Sequence, residues 1–152
     1  MSDLPPAMSP ASDDQMIRTF TFITVGFCGG LVMVLGLGVF FLVPGSTVRA
    51  PGLLLGAVLG LVSWFGSRWV TSRAPSGSVR IRSGRDGGPA STLAFLGIAV
   101  AETPALVGLV VAVADGADVG AIVVAVPIAI VAIVVNASGP GAMRRHLGLV
   151  RA

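Results

Sequence analysis

The sequence predicts an all-α membrane protein in which four transmembrane helices form two antiparallel hairpins with both termini in the cytoplasm. Three observations predict this fold class. Apolar residues make up 54% of the 152-residue chain and charged residues only 11%, whereas about a quarter of the residues in soluble domains are charged. Four long apolar runs follow one another along the chain, and the arginines are concentrated in alternate connections. This composition excludes an ordinary soluble enzyme.

The predicted organisation is two hairpins separated by a basic linker. The boundaries are 1–11 for a disordered cytoplasmic N-terminus, 12–70 for the first hairpin (spans about 20–43 and 53–70), 71–90 for an Arg/Gly/Ser-rich cytoplasmic linker, 91–138 for the second hairpin (spans about 93–114 and 119–136) and 139–152 for a basic cytoplasmic tail.

The first two spans are defined by length and by their flanking residues. The first has 24 residues from Phe20 to Val43 without a charge, more than the roughly 20 needed to cross a bilayer. The second begins after Gly52 and ends near Trp69 and Arg68, side chains typical of the membrane interface.

The third span is apolar enough to tolerate a central acid, Glu102. A central acid opposes insertion by about 2.5 to 3.5 kcal/mol, while the span's eleven Leu, Ile, Phe and Val residues contribute roughly −3 to −7 kcal/mol. The fourth span contains Pro127 and many β-branched residues. We predict a helix there as well, because an isolated strand would leave its backbone groups unpaired in lipid.

The distribution of arginine predicts the orientation. Nine of the ten arginines lie in the N-terminal segment, the central linker and its edge, or the C-terminal tail, and only Arg49 lies in the other two connections. Because positive residues mark the cytoplasmic side, we expect a multi-pass protein of the cell (inner) membrane. The connection that contains Asp115 and Asp118 is then external. We interpret this connection as a turn in which Asp118 caps the fourth helix, or alternatively as a weak cation site.

Glu102 is the only ionisable residue deep within a predicted span, and it is the candidate proton or cation site. Pro104 and Pro127 kink their helices and free the carbonyls of Val100 and Val123, which become candidate auxiliary ligands. An isolated charge is costly at that depth, so we expect the carboxyl to hold or exchange a proton. The alternative is structural: Glu102 hydrogen-bonds to a carbonyl or to Ser63.

The residues around Glu102 resemble those of two families. The segment 99–110, AVAETPALVGLV, looks like the carboxylate helix of rotary ATPase proteolipid (c-type) subunits, a resemblance that implies binding of H⁺ or Na⁺ by Glu102. The chain also resembles small uncharacterised four-helix bacterial integral membrane proteins whose third helix carries an A-E-x-P-A-L-x-G run. That resemblance implies a four-helix fold and no assigned activity.

Small residues recur at helical spacing and predict close helix packing, since they let backbones approach in lipid. They are Gly26 and Gly30 in the first span, Gly56 and Gly60 in the second, and Gly97, Ala101, Ala105 and Gly108 in the third. Packing within the chain is the main expectation, and a homo-oligomer or a contact with a membrane partner is the alternative.

The remaining polar residues favour contact with lipid rather than chemistry. The basic residues Arg80, Arg82, Arg85, Arg144 and Arg145 are candidates for binding anionic lipid headgroups. They lack the interleaved aromatics of single-stranded nucleic-acid binding, so we expect no nucleic-acid partner. One Cys and one His cannot form a zinc site, and we expect no metal or cofactor.

The predicted function is a non-enzymatic structural or accessory protein of the membrane, in which Glu102 supports packing or a partner contact. The alternative is a proton- or cation-coupled transport element that uses Glu102 as the exchanging carboxyl.

Overall fold

The computed structural model describes residues 10–42, 45, 47–73, 87–116 and 118–151. Its helices are α1 (Pro10–Leu37), α2 (Ala50–Ser72), α3 (Gly87–Asp115), α4 (Gly120–Ala132) and α5 (Pro140–Arg151), with π-helical segments Gly38–Leu42 after α1 and Ile133–Ser138 after α4. These ranges contain no β-strand, only a bridge between Thr47 and Asp118. Four helical stretches are long and apolar enough to cross a membrane, which confirms the all-α class and the prediction of four helices of this kind.

The helices extend beyond the predicted spans, because a span marks only the part of a helix that crosses hydrocarbon. The first helix begins at Pro10, a residue suited to the first helical turn, where its missing N–H would have no partner. The third begins at Gly87, inside the predicted 71–90 linker. Residues 1–9 of the predicted disordered N-terminus and 74–86 of the linker lie outside the described residues.

The bundle is organised around α2, α3 and α4. The second helix packs on α4 and α3, whereas α1 makes sparser contacts with α3, α4 and α5. The side chains at the centre of the bundle are small or branched, as at Ala105, Ile122 and Ala129. Large apolar side chains such as those of Phe22, Phe40, Leu54, Phe65 and Val110 are exposed on the outer surface, as expected for helices surrounded by lipid.

One face of α2 consists only of small residues and explains its close packing. The buried residues of this helix are Gly52, Gly56, Gly60, Ser63, Ser67 and Thr71. A Cβ atom on Gly56 would lie 2.6 Å from the carbonyl oxygen of Ala121 and 2.9 Å from the Cβ of Val124. We call this face the small-residue face of α2.

The end of the fourth span turns back onto the bundle. Gly139 has extended backbone (φ −65°, ψ 165°) and separates the second π-helical segment from α5. A side chain at Gly139 would collide with the carbonyl of Val134, so only glycine fits there. Met143 and Leu147, four residues apart on α5, are buried against Phe20 and Ala94. Most of the predicted 139–152 tail is therefore a helix packed on protein.

Candidate functional site

Glu102 lies near the middle of α3, and its half-buried side chain faces α1. It lines an open cavity of about 400 Å³ together with Ile23, Gly26, Phe27 and Gly30 of α1. A Cβ atom at Gly26 or Gly30 would meet no atom within 4 Å. Among the residues that the structure describes, none forms a hydrogen bond or ion pair with Glu102. We call this cavity the Glu102 groove.

The other predicted ligands are not among the residues that line this groove. Ser63 is buried on α2, and its hydroxyl donates to the carbonyl of Ala101 over 2.6 Å rather than to Glu102. Val100 approaches Gly66 of α2, and Val123 is exposed on α4. Glu102 thus shares its groove with two glycines of α1, and the role of the Val100 and Val123 carbonyls as ligands stays a prediction.

The prolines do not interrupt their helices. The third helix continues through Pro104, which is buried, and α4 continues through Pro127, which is exposed. Neither residue lines the Glu102 groove.

The small residues of α2 and α3 are used for packing within the chain. A Cβ at Gly97 would lie 2.7 Å from the Thr71 methyl carbon, and Gly60 contacts Ile128 of α4. Ala101 and Ala105 are fully buried, and Gly108 lies at ordinary contact distance from α2 and α4. Gly26 and Gly30 differ, because nothing in the described chain covers them.

A buried layer of hydrogen bonds joins four elements, and our sequence reasoning missed it. Asn136, in the second π-helical segment, donates to the hydroxyl of Ser67 over 3.2 Å and to the carbonyl of Trp64 over 3.3 Å. Thr24 of α1 donates to the Ser138 hydroxyl over 2.7 Å.

His146 adds α5 to this layer. Its Nε2 lies 2.8 Å from the carbonyl oxygen of Ala137, and its buried Nδ1 has no partner among the described residues. The available sequence signal was Asn136, the only asparagine of the chain, at the end of an apolar run. Buried amides and hydroxyls in membrane helices hydrogen-bond to neighbouring helices.

Asp118 links the starts of two helices. One carboxylate oxygen accepts the N–H groups of Gly120 over 2.8 Å and of Arg49 over 3.1 Å, and the other accepts the N–H of Gly52 over 2.9 Å. The bond from the Gly120 N–H lowers the pKa of Asp118 below its ordinary 3.8, and desolvation opposes this shift. The bonds from Arg49 and Gly52 and the positive charge of Arg49 lower the pKa further. Asp118 accepts a bond from the first residue of α4, as the predicted cap would, although Val119 occupies the N-cap position. The bonds to Arg49 and Gly52 were not predicted.

The predicted headgroup arginines fall into two groups. Arg144 and Arg145 are exposed on α5, whereas Arg80, Arg82 and Arg85 lie outside the described residues.

Within the described ranges, no three His, Cys, Asp or Glu residues come together as a metal site would require.

Comparison with known proteins adds no relative. No protein-family model matches this chain, and no curated protein and no solved structure matches it either.

Proposed function

We propose that this chain is a small non-enzymatic protein of the cell (inner) membrane that serves as a structural or accessory subunit, and that the Glu102 groove receives one transmembrane helix of a partner. The observation that supports this proposal is the groove itself. It combines an unpartnered carboxyl with two uncovered glycines, on a face that the described chain leaves open.

The physical chemistry of lipid makes this combination suited to helix docking. Gly26 and Gly30 are one helical turn apart, so a partner backbone can approach α1 closely. An isolated polar group is costly within a bilayer, and a donor on the partner helix would satisfy Glu102. The partner's chemistry follows: an apolar helix with small residues and one Arg, Lys, Asn or Gln side chain at mid-membrane depth.

The orientation is part of the proposal. Two antiparallel hairpins with cytoplasmic termini would bring nine arginines to the inner side, where anionic lipids are concentrated. The Asp118 link would then lie on the outer side.

Photocrosslinking in native membranes tests the docking proposal. We expect a photoreactive residue at Phe27 to crosslink to a membrane protein whose helix carries a polar side chain. Gly30→Leu, which fills the groove, should abolish the adduct, and Glu102→Gln should weaken it. Gly29→Leu is the matched control, because Gly29 is an exposed neighbour that does not line the groove. An adduct unchanged by Gly30→Leu, or an adduct with a second copy of this chain, would contradict the proposal.

The second candidate function is proton or cation exchange at Glu102, favoured by the absence of any described partner for its carboxyl. The resemblance of 99–110 to c-type subunits supports the same reading. If Glu102 exchanges a proton or cation, a carbodiimide should label its carboxyl in a pH-dependent way, and a transported cation should protect that carboxyl from labelling. No labelling between pH 5 and 9 would rule this candidate out. Glu102→Gln should insert and fold normally under either reading, since it keeps the hydrogen-bonding capacity.

A further inference from the structure

A second cavity lies at the other end of the bundle from the Asp118 link, between the end of α2 and α5. Its volume is about 490 Å³. The lining residues that matter here are Arg68 and Ser72 of α2, Val135 of the second π-helical segment, and Arg145, Gly148 and Leu149 of α5. None of them lines the Glu102 groove, so the two sites are independent.

The charge of this cavity is uncompensated. Residues 50–72 and 133–151, which form its walls, contain no Asp or Glu. Arg68 has no ion pair or hydrogen bond from its guanidinium within the described part of the chain. Arg145 uses Nη2 to donate to the carbonyl of Val135, which leaves its other N–H groups for a ligand. Two arginines from helices distant in sequence therefore line one cavity.

The rest of the lining combines polar side chains (Thr71, Ser72 and Asn136) with the apolar side chains of Val135 and Leu149. Val135 and Leu149 remain partly exposed along the cavity. Nearby, the guanidinium of Arg73 stacks on Trp69 at 3.8 Å, an aromatic–cation pair of the kind found at the membrane interface. A ligand with an anionic headgroup and an apolar chain fits this combination of arginines and apolar side chains better than a free ion does.

The local backbone is unusual at the same place. The π-helical turn leaves Val135 exposed beside the cavity while Asn136 is buried against α2. Single π-helical turns occur frequently at functional sites.

We propose that this cavity binds one anionic phospholipid. Arg68 and Arg145 donate charge-assisted hydrogen bonds to the phosphate, and an acyl chain lies along Val135 and Leu149. The cavity is a defined site, in contrast to the diffuse attraction between exposed arginines and the membrane surface.

Lipid binding to the purified full chain in detergent tests this proposal, since a micelle lacks the charged bilayer surface. The probes are phosphatidylglycerol and phosphatidylcholine with identical acyl chains, counted by native mass spectrometry. We expect one tightly bound phosphatidylglycerol and at least about tenfold weaker binding of phosphatidylcholine. The double variant Arg68→Gln/Arg145→Gln should lose at least about tenfold in phosphatidylglycerol affinity.

Two further variants separate the cavity from net charge and from folding. Arg18→Gln/Arg73→Gln removes the same number of charges from exposed arginines that do not line the cavity, and this variant should bind phosphatidylglycerol within about twofold of the wild type. Gly148→Leu fills the cavity without changing charge, and a Cβ there meets nothing within 4 Å, so it should fold and lose the lipid.

Three results would overturn the proposal. They are equal binding of the two lipids, unchanged binding by Gly148→Leu, and displacement of the lipid by millimolar inorganic phosphate. The last result would identify a free anion as the ligand instead of a lipid. All of these outcomes are separable from the fate of the Glu102 groove, because Glu102→Gln leaves this cavity intact.

Discussion

At the scale of the residue, Asp118 uses one carboxylate to satisfy backbone N–H groups at the starts of both α2 and α4. The first N–H groups of a helix have no partner inside the helix, so such bonds stabilise both termini. Glycine is required at two positions beside it. A Cβ at Gly52 would collide with the carboxylate oxygens of Asp118, and a Cβ at Gly120 would lie 2.7 Å from the backbone nitrogen of Leu53. One side chain thereby holds two sequence-distant helices in register.

This arrangement predicts a pH-dependent stability. Because the pKa of Asp118 is lowered in the folded protein, its contribution should be complete above the unfolded value near 3.8 and be lost as the pH falls through the lower folded pKa. Thermal unfolding of wild type and Asp118→Asn between pH 7 and 2 measures it. We expect the Tm of the variant to lie below that of the wild type by a constant amount at neutral pH, and the two Tm values to converge as the pH falls through the lowered folded pKa of Asp118.

Asp115→Asn provides the matched control, because Asp115 is an exposed carboxylate on the same connection. It should unfold like the wild type at every pH. A Tm difference for Asp118→Asn that persists unchanged to pH 2 would show that the charge of Asp118 is not what stabilises the link.

At the scale of the element, the small-residue face of α2 sets the distance between α2 and α4. Its members recur at intervals of three and four residues, which is the spacing of one helix face. The same face changes character along its length, from glycines near Asp118 to the hydroxyls of Ser63, Ser67 and Thr71. The glycine end allows close packing, and the hydroxyl end supplies hydrogen-bond partners such as Ser67 for Asn136.

Substituting a glycine of this face should have a large, position-specific effect. Gly56→Ala places a methyl 2.6 Å from the Ala121 oxygen, and since backbone cannot move aside cheaply we expect a loss of about 1–3 kcal/mol in the free energy of unfolding. Unfolding in mixed micelles monitored by circular dichroism measures this loss.

Gly29→Ala is the companion variant on α1. A Cβ there meets nothing within 4 Å, so the better helix propensity of alanine should leave stability unchanged or raise it by up to about 1 kcal/mol. Equal destabilisation by both variants would mean that Gly56 acts through helix propensity and not through packing.

At the scale of the whole molecule, the bundle is unevenly packed. The segment from Gly120 onward is the most buried of the four spans, and α1 is the least buried. The sparsely packed α1 supplies four of the five residues that line the Glu102 groove, whereas α5 closes the lipid cavity against α2. The proposed partner and the proposed lipid therefore occupy separate surfaces at different depths.

The arginine distribution makes a prediction about the whole chain. We expect cytosolic reporters fused to the N- and C-termini to be active, and periplasmic reporters at both ends to be inactive. In a Cys28→Ala background, a cysteine at Asp115 should react with a membrane-impermeant maleimide from outside. Labelling of that cysteine only after membrane permeabilisation would reverse the orientation.

Much of the fold could be predicted because lipid imposes strong rules on local sequence. The four long apolar helices and the bond from Asp118 to the start of α4 both follow from patterns within a few residues. The candidate site was harder. Glu102 was identifiable as a lone acid within an apolar run, and Val100, Val123 and Ser63 were its predicted partners. The groove around it is lined by residues of α1, and the Ser63 hydroxyl bonds to the carbonyl of Ala101.

By itself, the sequence determined that this chain forms helices long and apolar enough to cross a membrane, because hydrophobic length and backbone hydrogen bonding depend only on consecutive residues. The tertiary structure alone decided which polar groups meet: Asp118 with Gly52, Asn136 with Ser67, and Arg68 with Arg145 across one cavity. The physical reason is that these pairs are about 65 to 80 residues apart, and helix rotation and contact, rather than local spacing, bring them together.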